Sequence, residues 1–393
     1  MATDRDALPA PLAGTRVLEL AQAISGPFVG RILVDLGADV VKVEWENGDV
    51  TNRFGPPTAG LTGLFTHMNA GKRGVGVDLK APGAADLLHR LADAADVVVA
   101  NFRPGVLDRV GLSYDALQAT NPDLVMVSIS GFGRTSPDAQ RPAYAPVLHA
   151  ESGLLARQQV LDDRPIADIA MSLADQVAAL HATIAVVSAL RLRDQTGAGQ
   201  HVDLSMLEAL IATDDHAADA LDGTPPADTR GYVWDAPGGP ILISVDPKAL
   251  WHRLTRHAGL VDPSAADAAL PAKIAARRDV MAAWIAGFAD RRQLTTALEA
   301  AGLAWADVRD ASTVFTSPSL RDGRAVVDVD DHAGGTRRVV RMPYRFSGAT
   351  STVRGPAPRR GQHNADVLAD WLGATHADLA ALAAGPLRAT AET

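Results

Sequence analysis

Asp175 stands inside an otherwise apolar stretch, Ile169 to Leu180, near the expected start of a long helix. Helix N-terminal N–H groups and the dipole keep such a carboxylate ionised, and a water-poor setting leaves it nucleophilic. The same position suits a plain helix cap, and position alone does not separate the two readings. Asn101-Phe-Arg-Pro-Gly-Val-Leu-Asp-Arg109 follows directly on an apolar strand, at the end where open α/β sheets usually bind ligands. Asn101, Phe102, Arg109 and the cations Lys72 and Arg73 of Asn69-Ala-Gly-Lys72-Arg73 together favour a phosphorylated ligand. Taken singly, each cluster is an ordinary solvated loop or ion pair.

Other chemistries lack their residues. The chain has no cysteine, which excludes disulfides, thiolate metal sites and cysteine nucleophiles. His149, His181, His201, His216 and His252 show no ligand spacing, so no metal is expected. No Gly-x-Ser-x-Gly elbow occurs. The turn Ser25-Gly26-Pro27-Phe28-Val29-Gly30 is not the Gly-x-Gly-x-x-Gly of a dinucleotide site, although Glu44 ends the next strand.

These residues need a scaffold, and the first 130 residues alternate strand-like and helix-like patterns. Strands are expected at 16–21, 39–44, 74–79, 96–100 and 123–130, with helices at about 25–36, 82–94 and 114–120 between them. Val-rich strands alternating with helices predict an α/β fold with a parallel sheet covered on both faces. A long helix is expected from Ala170 to about Arg193, then a strand at Gln200–Leu204 and another helix. A Pro/Gly/Asp-rich linker at 222–230 divides the chain, giving a first domain at 1–222, a small α+β domain at 231–323 and a last stretch at 324–393. That last part holds strands at 325–330 and 336–341 and a final helix from Asn364.

At 393 residues, 47% apolar and 21% charged, the chain is a globular protein and not a disordered or collagen-like one. Its net charge of −9, with five lysines and no basic run, argues against nucleic acid as a partner. The polar N-terminus lacks the pattern of a signal peptide, and 171–190 reads as a core helix, so a cytoplasmic protein without a membrane span is expected.

The motifs also resemble a known family, the class III CoA transferases (formyl-CoA transferase and carnitine-CoA transferase type, CaiB/BaiF), which includes the α-methylacyl-CoA racemases. The resemblance rests on Pro11-Leu-Ala-Gly-Thr-Arg-Val-Leu-Glu-Leu20 with Ser25-Gly-Pro27, Leu36-Gly-Ala-Asp-Val-Val-Lys-Val-Glu44, Asn69-Ala-Gly-Lys-Arg73 and Asn101-Phe-Arg-Pro-Gly105. Ser130-Gly-Phe-Gly133, Thr196-Gly-Ala-Gly-Gln200, Pro343-Tyr-Arg-Phe-Ser347 and Gly361-Gln-His363 continue it in the same order. It implies a Rossmann-like large domain built from both chain ends, a smaller middle domain, and two ring-shaped subunits interlocked as a homodimer. It implies an enzyme of the CoA-transferase class (EC 2.8.3 type) with no prosthetic group, using coenzyme A thioesters as substrates together with a small carboxylic acid.

Under this resemblance Asp175 falls on the catalytic aspartate, which favours the nucleophile over the cap. The CoA-binding positions fall on Lys72, Arg73, Asn101, Phe102 and Arg109, with Arg141 a further candidate. Tyr144 stands where racemases carry a histidine, which favours transfer over racemisation. His149 stands where glutamine is common and Ile24 where formyl-CoA transferases have glutamine, so Tyr144, His149 and Ile24 are candidate acyl-pocket residues. Three readings follow. CoA transfer through an aspartyl anhydride and an aspartyl-CoA thioester leads. The second is α-proton exchange on an acyl-CoA, with Asp175 as acid/base and His149 substituting for the racemase histidine. The third is a non-catalytic CoA-binding protein.

Overall fold

The computed structural model describes residues 8–226, 230–320 and 325–389. Residues 227–229 of the expected linker, and the boundary expected at 323/324, lie outside the described residues. The chain divides into two compact units, Met1–Ala217 with Asp322–Thr393, and Ala218–Arg321.

The first unit begins with β1 (Arg16–Leu20), α1 (Ser25–Asp35) and β2 (Asp39–Glu44), a small hairpin of β3 (Pro57–Thr58) and β4 (Leu61–Thr62), then α2 (Gly63–Asn69) and β5 (Arg73–Val77). It continues through α3 (Ala84–Asp93), β6 (Val97–Ala100), α4 (Tyr114–Gln118), β7 (Val125–Ser130), α5 (Ala145–Glu151), α6 (Leu154–Asp162), α7 (Leu173–Thr196), β8 (Gln200–Ser205) and α8 (Met206–Thr213). α9 (Ala217–Asp222) follows. After the second unit come β12 (Val326–Asp330) paired antiparallel with β13 (Thr336–Val340), then α13 (Asn364–Leu372), α14 (His376–Ala384) and β14 (Leu387–Arg388). The helix expected to be last is therefore followed by another helix and a two-residue strand. β14 adds antiparallel to β5 at the edge of an otherwise parallel sheet. Two residues are too few to carry an alternating pattern, so the sequence hides this strand.

The seven strands lie in the order β14-β5-β2-β1-β6-β7-β8. Without β14 this is the order 3-2-1-4-5-6 of doubly wound nucleotide-binding sheets, whose winding reverses between the first and fourth strands. Here the reversal lies between β1 and β6, which pair directly from Val17↔Val97 to Leu20↔Ala100. The apolar strands feed two cores. Val17, Val97, Val99, Val127 and Ile129 face α1, α5, α7 and α8, while Leu18, Val41, Val98 and Met126 face α3, α4 and α13.

α7 is long and apolar enough to cross a membrane, but its face bearing Ala174, Ala178, Ala182 and Val186 is buried against the sheet. Its opposite face leaves Leu180, Ile184 and Val187 exposed at helical spacing.

The second unit contains an antiparallel sheet of β9 (Tyr232–Trp234), β10 (Ile241–Ile243) and β11 (Trp305–Asp307) in the order β11-β10-β9. Its helices are α10 (Pro247–Ala258), α11 (Leu270–Ala286) and α12 (Arg291–Ala300), closing a core of Trp234, Ile241, Trp251, Leu254, Ile285 and Leu298. β9 and β11 do not stand out in the sequence because each has only three residues.

Candidate active site at the β1/β6 crevice

β1 and β6 end side by side, and the residues after them meet. The Asn101 side chain accepts from the Gln22 N–H at 3.0 Å and donates to the Gln22 carbonyl at 2.7 Å, so the two loops are stitched across the reversal point. Its Nδ2 also lies 3.2 Å from Ser25 Oγ. Ser25 opens α1 close to the Asp175 carboxylate, where its hydroxyl and backbone N–H act to favour the charged form. Asp175 itself sits in the first turn of α7. The carboxylate thus faces the N-termini of two helices, α1 and α7, where unpaired N–H groups and both dipoles favour negative charge.

Close approach at this corner depends on glycine. A Cβ at Gly26 would lie 2.4 Å from the Ala21 Cβ and 3.2 Å from Asn101 Cγ. A Cβ at Gly30, one turn on, would meet Glu19 Oε2 at 1.9 Å. The turn fails as a dinucleotide fingerprint, yet its glycines still bring a helix against the sheet.

Beneath the corner lies a buried charge cluster. Glu19 and Lys42 are register partners on β1 and β2 and form an ion pair at 3.1 Å. Lys42 also pairs with Asp49 at 2.9 Å and donates to the Ala21 carbonyl at 2.9 Å. Asp49 in turn accepts from the N–H of Ala23, a non-glycine residue held at φ 64°. That left-handed backbone costs on the order of 1 kcal/mol and persists because the cluster fixes both ends of the turn. Burial works against the Lys42 charge, but Glu19, Asp49 and Glu44 outweigh it and hold its ammonium above the ordinary lysine value. A charged residue flanked by apolar ones inside each of two strands, Glu19 and Lys42, is the sequence signal for this cluster.

Lys72 belongs to this interior. Its ammonium is buried and donates to Glu19 Oε2 at 2.6 Å, to the Pro27 carbonyl at 2.8 Å and to Asn69 Oδ1 at 2.8 Å. All three N–H donors are used, so Lys72 is no phosphate ligand; burial, opposed by Glu19, lowers its pKa to about 7. Arg73 is also misplaced as a ligand. It begins β5, at the opposite edge of the parallel sheet from Asn101, and its guanidinium holds Asp39 and Asp370.

The loop after β6 does remain at the crevice. Phe102 packs on Trp45 with ring centroids 6.0 Å apart, and Arg109 is exposed with no ion-pair partner among the described residues. Arg103 of the same loop and Arg134, which the sequence did not single out, line a cavity with Phe102, Asp108, Tyr114 and Ser128. Arg141 is turned elsewhere, to Glu151 at 2.5 Å and over the Phe132 ring.

Of the acyl-pocket candidates, Tyr144 stands just before α5 and is 71% exposed. Ile24 is half-buried at the start of α1, where its carbonyl accepts from Phe28 at 2.8 Å. His149 is not a pocket residue. Its ring is fully buried, with Nδ1 2.8 Å from Asp168 Oδ1 and Nε2 accepting the Ala174 N–H at 3.2 Å. With both nitrogens engaged it offers no free site for a substrate proton, and the α-proton reading keeps Asp175 but lacks its second acid/base group.

Burial pushes the Asp175 carboxyl up to about 6, against the nearby Ser25 donors, which act to lower it. Desolvation outweighs the donors at the two helix starts. The group is still mostly ionised at neutral pH.

A profile of CoA-transferase family III matches residues 12–364. The succinate–glutarate CoA-transferase of Agrobacterium fabrum is 30% identical over 391 residues, covering 94% of this chain and 97% of its own. The succinyl-CoA–D-citramalate CoA-transferase of Chloroflexus aurantiacus is 30% identical over 395 residues, covering 96% and 98%. A CaiB/BaiF family protein from Brucella suis has a similar solved structure, with a TM-score of 0.78, 29% identity and coverage of 92% of this chain and all of the other.

Proposed function

This chain belongs to CoA-transferase family III, and from that premise we propose that it moves CoA from an acyl-CoA thioester to a free carboxylic acid with Asp175 as the covalent nucleophile. The observation that carries the reading is the placement of one partly desolvated carboxylate at two helix N-termini, in the crevice where doubly wound sheets bind ligands.

The ionised carboxylate attacks the thioester carbonyl and expels CoA thiolate, leaving an acyl-aspartyl anhydride. The thiolate then attacks the aspartyl carbonyl, releasing the first acid and leaving an aspartyl-CoA thioester. An incoming carboxylate runs the two steps in reverse. Partial desolvation raises the nucleophilicity of Asp175, and the Ser25 donors hold it in place while charge moves away. Asn101 secures Ser25, and Arg109 is the leading candidate for CoA phosphate, with Phe102 beside it. The protein needs no prosthetic group for these steps.

A homodimer fits the exposed apolar row Leu180, Ile184 and Val187 on α7, which a second copy would cover. Sedimentation showing a stable, active monomer would overturn that part of the reading.

The activity is tested by incubating acyl-CoA thioesters, succinyl-CoA among them, with a mixture of carboxylic acids including glutarate, malate and citramalate. New CoA esters read by mass are the expected result. Binding without any new ester would leave a CoA-binding protein, and deuterium uptake at the α-carbon alone would restore proton exchange.

A further inference from the structure

The first turn of α7 carries Asp175, yet it has an unusual start. Ser172 occupies the cap position and makes no side-chain capping bond. An α-helix leaves its first N–H groups without intrahelical partners, and an uncapped buried start is costly and mobile. The partner of the Ala174 N–H comes from another helix, from Nε2 of His149 on α5, at 3.2 Å. The same imidazole is held from its other side by Asp168, 2.8 Å from Nδ1.

The hydrogen bonds fix the protonation of the ring. Nε2 accepts a backbone N–H and so carries no proton; the Nδ1 proton is donated to Asp168. This is a neutral imidazole in one tautomer, fully buried, with no nitrogen left for substrate. Asp168 also accepts from the Ile169 N–H at 2.8 Å, which anchors the segment running into α7.

We propose that His149, oriented by Asp168, is the positioning residue for Asp175: it caps α7 from outside the helix through the Ala174 N–H and so sets where the next residue's carboxylate points. The inference rests on the nucleophile reading of Asp175. Its reach is specific, because Asp175 must meet Ser25 on α1 while it is carried by α7. An angular error at the α7 start moves the carboxylate off the donors at the α1 start, and near-attack geometry is lost with small displacements. Glutamine satisfies the same two demands, since its amide oxygen accepts an N–H and its amide nitrogen donates to a carboxylate.

The test compares His149→Gln, His149→Leu and Asp168→Ala in the transfer assay, with CoA affinity measured separately by calorimetry. His149→Leu is expected to lower kcat about 30-fold while KM for acyl-CoA and CoA affinity stay within about twofold, because positioning acts on the reacting group and not on CoA binding. His149→Gln is expected to recover kcat to within about threefold of the parent. Nitrogen-15 spectra of the parent protein should show the His149 proton on Nδ1, and Asp168→Ala should move it to Nε2 and lower kcat with it. The spectrum decides the matter even if His149→Leu fails to fold.

A proton found on Nε2 in the parent, His149→Leu as active as the parent, or His149→Gln as inactive as His149→Leu would each overturn the proposal. Asp175→Ala separates the two failures. If it retains transfer, the nucleophile reading has failed; if it is inactive while His149→Leu is not, only the positioning role has.

Discussion

The two edges of the parallel sheet use similar residues for opposite ends. At the amino edge Arg73 bridges Asp39 and Asp370, and the Trp371 indole N–H adds a 2.8 Å bond to Asp39. Nothing there is left to act. At the carboxyl edge between β1 and β6 the donors converge on a single carboxylate, and a buried set of ion pairs holds the loop that supplies them. Paired charges lock structure, whereas one desolvated charge facing prearranged donors stores reactivity.

The contrast breaks most sharply at Asp175. Replacement by Ala should lower transfer by roughly 1000-fold or more, with CoA affinity unchanged in calorimetry, because no CoA phosphate contact is assigned to it. Gly30→Ala should be the next largest effect. A methyl placed 1.9 Å from Glu19 Oε2 must force α1 away from the charge cluster, costing about 3 kcal/mol in urea unfolding and taking activity with it.

The edges can then be compared directly. Arg109→Ala should raise KM for acyl-CoA about tenfold with little change in kcat, since a phosphate contact is made equally in ground and transition states. Arg73→Ala should leave KM alone and cost about 1 kcal/mol of stability, the scale of half-exposed ion pairs. Arg73→Ala raising KM as much as Arg109→Ala would erase the distinction between the edges.

The smallest effect is a stability difference whose sign follows from the raised pKa of Asp175. The folded protein binds this proton more tightly than the unfolded chain, so the ionised form is a liability above about pH 6 that disappears as pH falls toward 4. Asp175→Asn should therefore be more stable than the parent at pH 7.5 by about 1 kcal/mol, discounted because the group is not fully buried, and equal to it near pH 4. In the same window kcat/KM of the parent should fall as pH drops below 6.

Much of this was legible in the chain. Val-rich strands alternating with helices specify a parallel sheet, and an aspartate in an apolar stretch marks the α7 start. The placement of Asn101 follows from its position just past an apolar strand. What local patterns cannot tell is which end of a strand a cation serves. Lys72 and Arg73 are adjacent at the entry to β5, yet one enters the ion-pair cluster and the other turns to Asp39. The sequence assigns Ser25 no role beside Asp175 because the two are 150 residues apart. His149 looked like a pocket residue because its two partners, Asp168 and the Ala174 N–H, are brought to it only by the packing of α5 against α7.

Covalent trapping tests the central claim most directly. Protein given acyl-CoA and then hydroxylamine or borohydride should be modified at one carboxylate, because an anhydride or aspartyl thioester is far more electrophilic than a free acid. Peptide mass mapping is expected to place the label between Ala170 and Arg191, on Asp175, and Asp175→Asn should remain unlabelled. A label on Asp168 or Glu151 instead, or an equal label on the Asp175→Asn protein, would contradict the account.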